Sequence, residues 1–325
     1  MRINVRPIII LFFILSLLLF SSCKYDIVKD DYSWNENYII GMDDDFEKCW
    51  GLNDGEVKTA HVIILTGKSN CTVCSITSYL KDQISEDDFS RYENGFENVH
   101  INFNIDNHRT CSEGEFRKTN LECGSFIGEF GPEVGIADIL HKTYPEEDFF
   151  IIKLSMSGYT LNYHWMREYD RGEIYNSTIL FAKKSLDYIK SMNYIVSLEA
   201  VMFMQGESDT TDYKTDRYYK NLNNYVSFLR EDLKDYTWDK GLFFIDAGIS
   251  DSPYNLPSYK ELNEIKRKFS EESELNRCFS TIENGLTTMN EPYDNPDLGH
   301  FDALSEIRLG ELFAEELVRI YQTTL

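Results

Sequence analysis

The chain has 325 residues, 42 % of them hydrophobic, and Asp+Glu 55 against Lys+Arg 32 gives a formal net charge of −23. That is enough apolar material for one large domain or two small ones, and an acid excess of this size repels phosphate backbones and anionic membrane faces, which argues against nucleic acid as a partner. Most of the 21 Tyr and 21 Phe belong in a core, while any left exposed offer faces on which sugar rings stack.

Residues 1–22 are predicted to be an export signal rather than part of the fold. Arg2 and Arg6 form a basic start, Ile8 to Phe20 is an apolar run of 13 residues interrupted only at Ser16, and Ser21-Ser22-Cys23 follows. The run is short of the ~20 apolar residues that a membrane-spanning helix needs. It resembles a bacterial lipoprotein signal peptide, and the resemblance implies that Cys23 becomes the lipidated first residue of the mature chain. An uncleaved signal anchor and ordinary secretion are the alternatives. In each case the domain is expected outside the cytoplasm, at the cell envelope, and Lys24 after Cys23 favours the outer membrane over the inner.

In an oxidising compartment the other six cysteines, Cys49, Cys71, Cys74, Cys111, Cys123 and Cys278, suggest disulfides. Cys111 and Cys123 bracket a polar, glycine-containing loop and are the first expected pair. Cys71-x-x-Cys74 matches a redox motif or half a zinc site, but it has no second CxxC or paired histidines beside it, so a local bridge or two buried thiols is the favoured reading. No metal and no organic cofactor is expected.

Residues 23–57 are acidic and aromatic without sustained periodicity and read as a tether or strap; residues 58–325 read as one domain. His61-Val62-Ile63-Ile64-Leu65, Phe149-Phe150-Ile151-Ile152, Tyr194 to Phe203 and Leu242-Phe243-Phe244-Ile245 are apolar runs typical of buried strands. Tyr218, Leu222, Tyr225, Leu229 and Leu233 fall on one helical face, and Leu309, Leu312, Phe313, Leu317 and Ile320 do the same near the end. Alternating strands and helices predict a three-layer α/β/α sandwich on a parallel, flavodoxin-like sheet.

Polar groups cluster at the ends of these strands, where open α/β sheets bind ligands. Thr66-Gly67-Lys68-Ser69-Asn70 closes the first strand. A phosphate-binding loop would need glycine five positions before Gly67, where Val62 stands, so Ser69 reads either as a helix cap or as a nucleophile at a strand-to-helix turn. Phe130-Gly131-Pro132-Glu133 opens a helix, and Gly131 leaves its N–H uncovered by any side chain of its own. Met204-Gln205-Gly206-Glu207-Ser208-Asp209 follows the longest apolar run, and Asp297-Leu298-Gly299-His300 precedes the last helix. The spacing of Asp297 and His300 allows the carboxylate to hold one imidazole tautomer. Singly these are weak signals.

Together the four blocks resemble the SGNH hydrolases, and within them the sialate O-acetylesterase-like and acetylxylan-esterase branch of carbohydrate esterases, over roughly His61 to Leu325. The resemblance implies Ser69 as nucleophile, His300 as base, and an oxyanion hole from the N–H groups of Ser69 and Gly131 with the Gln205 amide. It leaves two carboxylates, Asp297 and Glu207, as the partner of His300. It also places Lys68, Asn70, Glu133 and Gly158 at the substrate. Three departures, Lys68 in place of glutamine, Phe203-Met204 before the Gln-Gly-Glu block and Ser157-Gly158 in place of two glycines, point to an altered acyl-sugar preference. The implied activity is removal of acetyl groups from carbohydrate through an acyl-serine. The alternative is a non-catalytic surface lipoprotein that keeps the fold to bind glycan or protein. A lipase-like role is disfavoured because no long apolar lid is evident.

Overall fold

The computed structural model describes Leu52, Asn53 and residues 55–324, other than 73–74, 107–108, 168–171 and 211–213. The expected signal at 1–22, Cys23, most of the 23–57 segment, Cys49 and Cys74 lie outside the described residues. The strands are β1 (Lys58–Gly67), β2 (Ser75–Ile76), β3 (Val99–Ile105), β4 (Thr110–Cys111), β5 (Arg117–Lys118), β6 (Glu129–Phe130), β7 (Asp148–Ser155), β8 (Tyr194–Met204), β9 (Phe243–Ala247) and β10 (Asn276–Phe279). The helices are α1 (Ser69–Thr72), α2 (Thr77–Lys81), α3 (Glu86–Asn94), α4 (Pro132–Thr143), α5 (Glu173–Ser191), α6 (Lys214–Asp232), α7 (Tyr259–Ser270) and α8 (Ala303–Thr324).

The main sheet runs β10-β9-β8-β1-β7-β3-β4, with β5 also paired to β3. Its six long strands are all parallel, and only β4 and β5 run antiparallel, at the β3 edge. Helices cover both faces, so the expected three-layer architecture is present. The strand order differs in one respect from the flavodoxin pattern 2-1-3-4-5: β7 lies between β1 and β3. The connection from β1 leads toward β3 and that from β8 leads toward β9, on opposite sides. The carboxyl ends of β1 and β8 therefore flank a topological switch point, the usual ligand crevice of such sheets.

Because both faces are covered, the central strands carry continuous apolar runs, with Val62, Ile63, Ile64 and Leu65 of β1 and Val201, Met202, Phe203 and Met204 of β8 all buried. On one face Phe203 packs against Trp165, Tyr225 of α6 and Phe244 of β9, and Tyr225 meets Tyr175 of α5. On the other, Tyr321 of α8 meets His61 and Tyr144, and Phe313 meets Phe279. There α4 and α8 approach backbone to backbone. A Cβ on Gly310 would sit 1.9 Å from Pro132 O, and one on Gly135 would sit 2.1 Å from Ile307 O.

Strand β3, Val-His-Ile-Asn-Phe-Asn-Ile, alternates apolar and polar residues and so lacks the continuous apolar run of its neighbours, although its polar Asn102 and Asn104 are buried too. Its Asn102 is fully buried and spends its amide on Gly114 O and Ser185 Oγ while its oxygen accepts from Ser112 Oγ, which removes the penalty of burial. The expected Cys111–Cys123 bridge is absent: both are free thiols, as are Cys71 and Cys278. Cys111 sits on edge strand β4 opposite Asn104, whereas the Cys123 Sγ faces Asn120 Oδ1 at 3.7 Å.

Candidate active site

The crevice begins where β1 and β8 pinch together. Gly67 has φ +152, and a Cβ there would lie 2.0 Å from Met204 O, so only glycine lets the strands stay that close. The Lys68 N–H then donates to Met204 O at 2.8 Å, and Lys68 O accepts from the N–H groups of Cys71 and Thr72. The chain is thereby folded into the single turn α1, with Ser69 at its start and almost wholly buried.

Asn70 joins that turn to two other segments. Its Nδ2 donates to Glu207 Oε1 at 2.7 Å and to Gly299 O at 3.4 Å, while its Oδ1 accepts the Phe301 N–H at 3.0 Å. The residue after Ser69 thus grips the loop on both sides of His300. Ser75 Oγ adds a bond to Phe301 O at 2.9 Å. At 1 % exposure Asn70, expected at the substrate, is almost wholly buried, with its amide spent on Glu207 and the histidine loop.

On that loop His300 Nδ1 and Asp297 Oδ2 are 2.6 Å apart. Asp297 is itself fixed, its N–H donating to Glu291 O at 2.8 Å and its Oδ1 accepting the Gly299 N–H at 2.9 Å. The hydrogen bond from His300 holds the Asp297 carboxyl below its usual range, against the opposing effect of partial burial. A carboxylate on Nδ1 assigns the proton there and leaves Nε2 as the basic nitrogen. Glu207, the other candidate carboxylate, binds Asn70 instead. Its Oε2 is buried without a partner among the described residues, and no ion pair joins it to His300 there.

Two supposed oxyanion donors are committed elsewhere. The Gly131 N–H, expected to be uncovered, donates to Glu133 Oε1 at 2.8 Å. Glu133 Oε2, of a residue expected at the substrate, pairs with Lys153 at 2.7 Å, both side chains fully buried. Burial alone would push Lys153 down; the Glu133 carboxylate outweighs it and raises the ammonium above its ordinary value. Glu306 of α8 enters the same region, and burial, reinforced by Glu133, pushes its carboxyl well above the usual range. The Gln205 side chain is likewise fully buried. Its Nε2 donates to Asp209 Oδ2 at 2.5 Å and its Oε1 accepts from Tyr218 Oη at 2.9 Å. Lys266 Nζ donates to Gln205 O at 2.5 Å and to Asp246 Oδ1 at 2.7 Å. The Gln-Gly-Glu block is braced from below rather than presented to the crevice.

Asp209, which the sequence reading left without a role, accepts the N–H groups of Leu161 and Asn162 at 2.9 and 3.4 Å. It ties the β8 end to the loop after β7 that carries exposed Gly158. Lys68 is half-buried beside Ser69. A serine at a strand end, an imidazole anchored through Nδ1 and a carboxylate behind it are the parts that nucleophilic acyl transfer requires.

The model of a carbohydrate esterase family described as sialic acid-specific acetylesterase matches residues 59–319. The chain belongs to this family. Two solved structures share the esterase's fold. NanS aligns with a TM-score of 0.60 at 13 % identity, covering 82 % of this chain and 98 % of its own. A protein from Arabidopsis thaliana aligns with a TM-score of 0.58 at 15 % identity, covering 80 % and 98 %. No curated protein matches the sequence. The matched region of this carbohydrate esterase spans every block of the crevice, from β1 to α8.

Proposed function

We propose that the chain is a serine esterase that removes O-acetyl groups from carbohydrate through an acyl-serine intermediate. The observation that carries this reading is the Asp297–His300 pair at 2.6 Å on a loop gripped by Asn70, the neighbour of Ser69. Ser69 Oγ attacks the acetyl carbonyl, His300 Nε2 takes its proton, and the same nitrogen returns a proton to the departing sugar oxygen. Water then releases acetate by the reverse sequence. Asp297 is the orienting acid, and Glu207 acts through Asn70 to hold the histidine loop. The Ser69 N–H is the oxyanion donor that remains of the three implied by sequence; Gly131 and Gln205 brace the walls. No hydrogen bond joins Ser69 to His300 among the described residues, and such pairs commonly tighten only around substrate.

The test is acetate release from acetylated sialic acid, xylan and peptidoglycan, with Ser69→Ala beside the wild type. Loss of turnover in the variant is expected; equal turnover sinks the proposal. We further propose that residues 1–22 direct export and that Cys23 carries a lipid anchor at the envelope. Incorporation of a labelled fatty acid that is lost in Cys23→Ala is the expected result, and label retained by the variant overturns it.

A further inference from the structure

Tyr254 follows β9 in the short turn Pro253–Asn255. The turn is pinned on both sides. Ser252 Oγ accepts the Tyr254 N–H at 3.2 Å and donates to Leu298 O on the histidine loop, and buried Asn255 donates to Ser250 O at 3.0 Å. Yet Tyr254 itself stands 68 % exposed, with no partner for its hydroxyl among the described residues. Its ring lies against Gly299: a methyl group there would meet Tyr254 Cδ2 at 3.6 Å and Cε2 at 3.8 Å. A large aromatic that stands in solvent on a pinned turn, against the residue before His300, forgoes the burial that such side chains normally seek.

The chemistry gives the position a meaning. In the esterase reading, on which this inference rests, His300 hands a proton to the leaving oxygen, so the departing alcohol lies on the histidine side of the serine. Tyr254 is an exposed aromatic on that side, with its ring against Gly299, the residue before His300. We propose that Tyr254 is a stacking platform for the pyranose ring of the leaving alcohol, with exposed Leu256 extending its apolar edge. The platform grips the sugar equally before and during reaction, so its loss acts through KM.

The experiment compares wild type, Tyr254→Ala, Tyr254→Phe and Tyr219→Ala on an acetylated methyl xyloside, 9-O-acetyl-N-acetylneuraminate and ethyl acetate, which has no ring. Tyr219 is an exposed tyrosine of α6 bonded to Glu272 and serves as control. Expected is a fall of about three- to tenfold in kcat/KM for the sugar ester relative to ethyl acetate in Tyr254→Ala, through KM, with Tyr254→Phe and Tyr219→Ala keeping the wild-type ratio. An unchanged ratio in Tyr254→Ala, or a parallel loss of kcat on all three esters, overturns the platform; so does Tyr254→Phe falling as far as alanine. Wild type without turnover on any ester defeats the esterase reading, and the platform with it.

Discussion

Replacing Asn70 by alanine removes three hydrogen bonds at once. Glu207 Oε1 loses its donor at 2.7 Å, Phe301 N–H its acceptor at 3.0 Å, and Gly299 O a longer contact at 3.4 Å. Because Glu207 Oε2 already has no partner among the described residues, the variant leaves an acid with neither oxygen paired. An unpaired buried group costs roughly 1–3 kcal/mol, and more when charged, so the sum is about 3–5 kcal/mol. Against a total stability of about 5–15 kcal/mol, that lowers Tm by something on the order of 10 °C. Freed on both flanks, His300 drifts, and a displacement of about 1 Å costs on the order of 100-fold in rate. Thermal melting and acetate release at saturating substrate read the two effects. Asn70→Asp retains the acceptor for Phe301 but sets a second carboxyl group against Glu207, so it is expected to melt below Asn70→Ala. Refutation is simple: an Asn70→Ala protein that melts with the wild type while losing rate would place Asn70 on the substrate, not on the loop.

Asp297→Asn is expected to lower kcat by on the order of 10⁴ with little change in melting, whereas Glu207→Gln, which keeps an acceptor for Asn70, loses far less; the reverse order in an acetate-release assay overturns the assignment of the orienting acid. Gly310→Ala drives a methyl to within 1.9 Å of Pro132 O and should destabilise by at least about 1–3 kcal/mol, so an unchanged denaturation midpoint would contradict the close α4–α8 contact. His61 carries a raised pKa: burial alone would depress it, but its 2.7 Å contact with Glu199 prevails. Its contribution is therefore complete below the ordinary value of 6.5 and lost as pH rises through the folded-state value. The melting gap between wild type and His61→Phe should narrow with rising pH in that window, and a gap that does not change with pH argues against the linkage.

The strands β1, β7, β8 and β9 were legible because burial on both faces gives each an apolar run of three or more residues, broken only by single polar residues such as Lys153, Glu199 and Asp246 that find partners inside. The helices α6 and α8 were legible from their single apolar stripe. What the pattern conceals is β3, where buried asparagines are paid for by partners distant in sequence, and the position of β7 beside β1, which local periodicity does not encode. At the site, Ser69, Asp297 and His300 stood out because glycine-rich turns mark strand ends. The hydrogen-bond partners of Asn70, Glu133 and Gln205 were not legible for one reason: an amide or carboxylate looks alike in sequence whether it faces solvent or spans two buried loops. Asp209 and Tyr254 carried fainter signals, an acid closing the Gln-Gly-Glu block and an aromatic in a proline-rich turn.

The glycine contact between α4 and α8 reaches beyond packing. Helix α4 springs from the loop of Gly131, and α8 from the loop of His300; the two meet through Gly135 and Gly310 with main chain against main chain. The contact works as a mechanical gauge: no side chain stands between the two helices there, so side-chain turnover elsewhere in the core has no lever on their spacing. Sequence drift can then rewrite most of the interior while the separation of two walls of the crevice is inherited unchanged, provided those two positions stay bare.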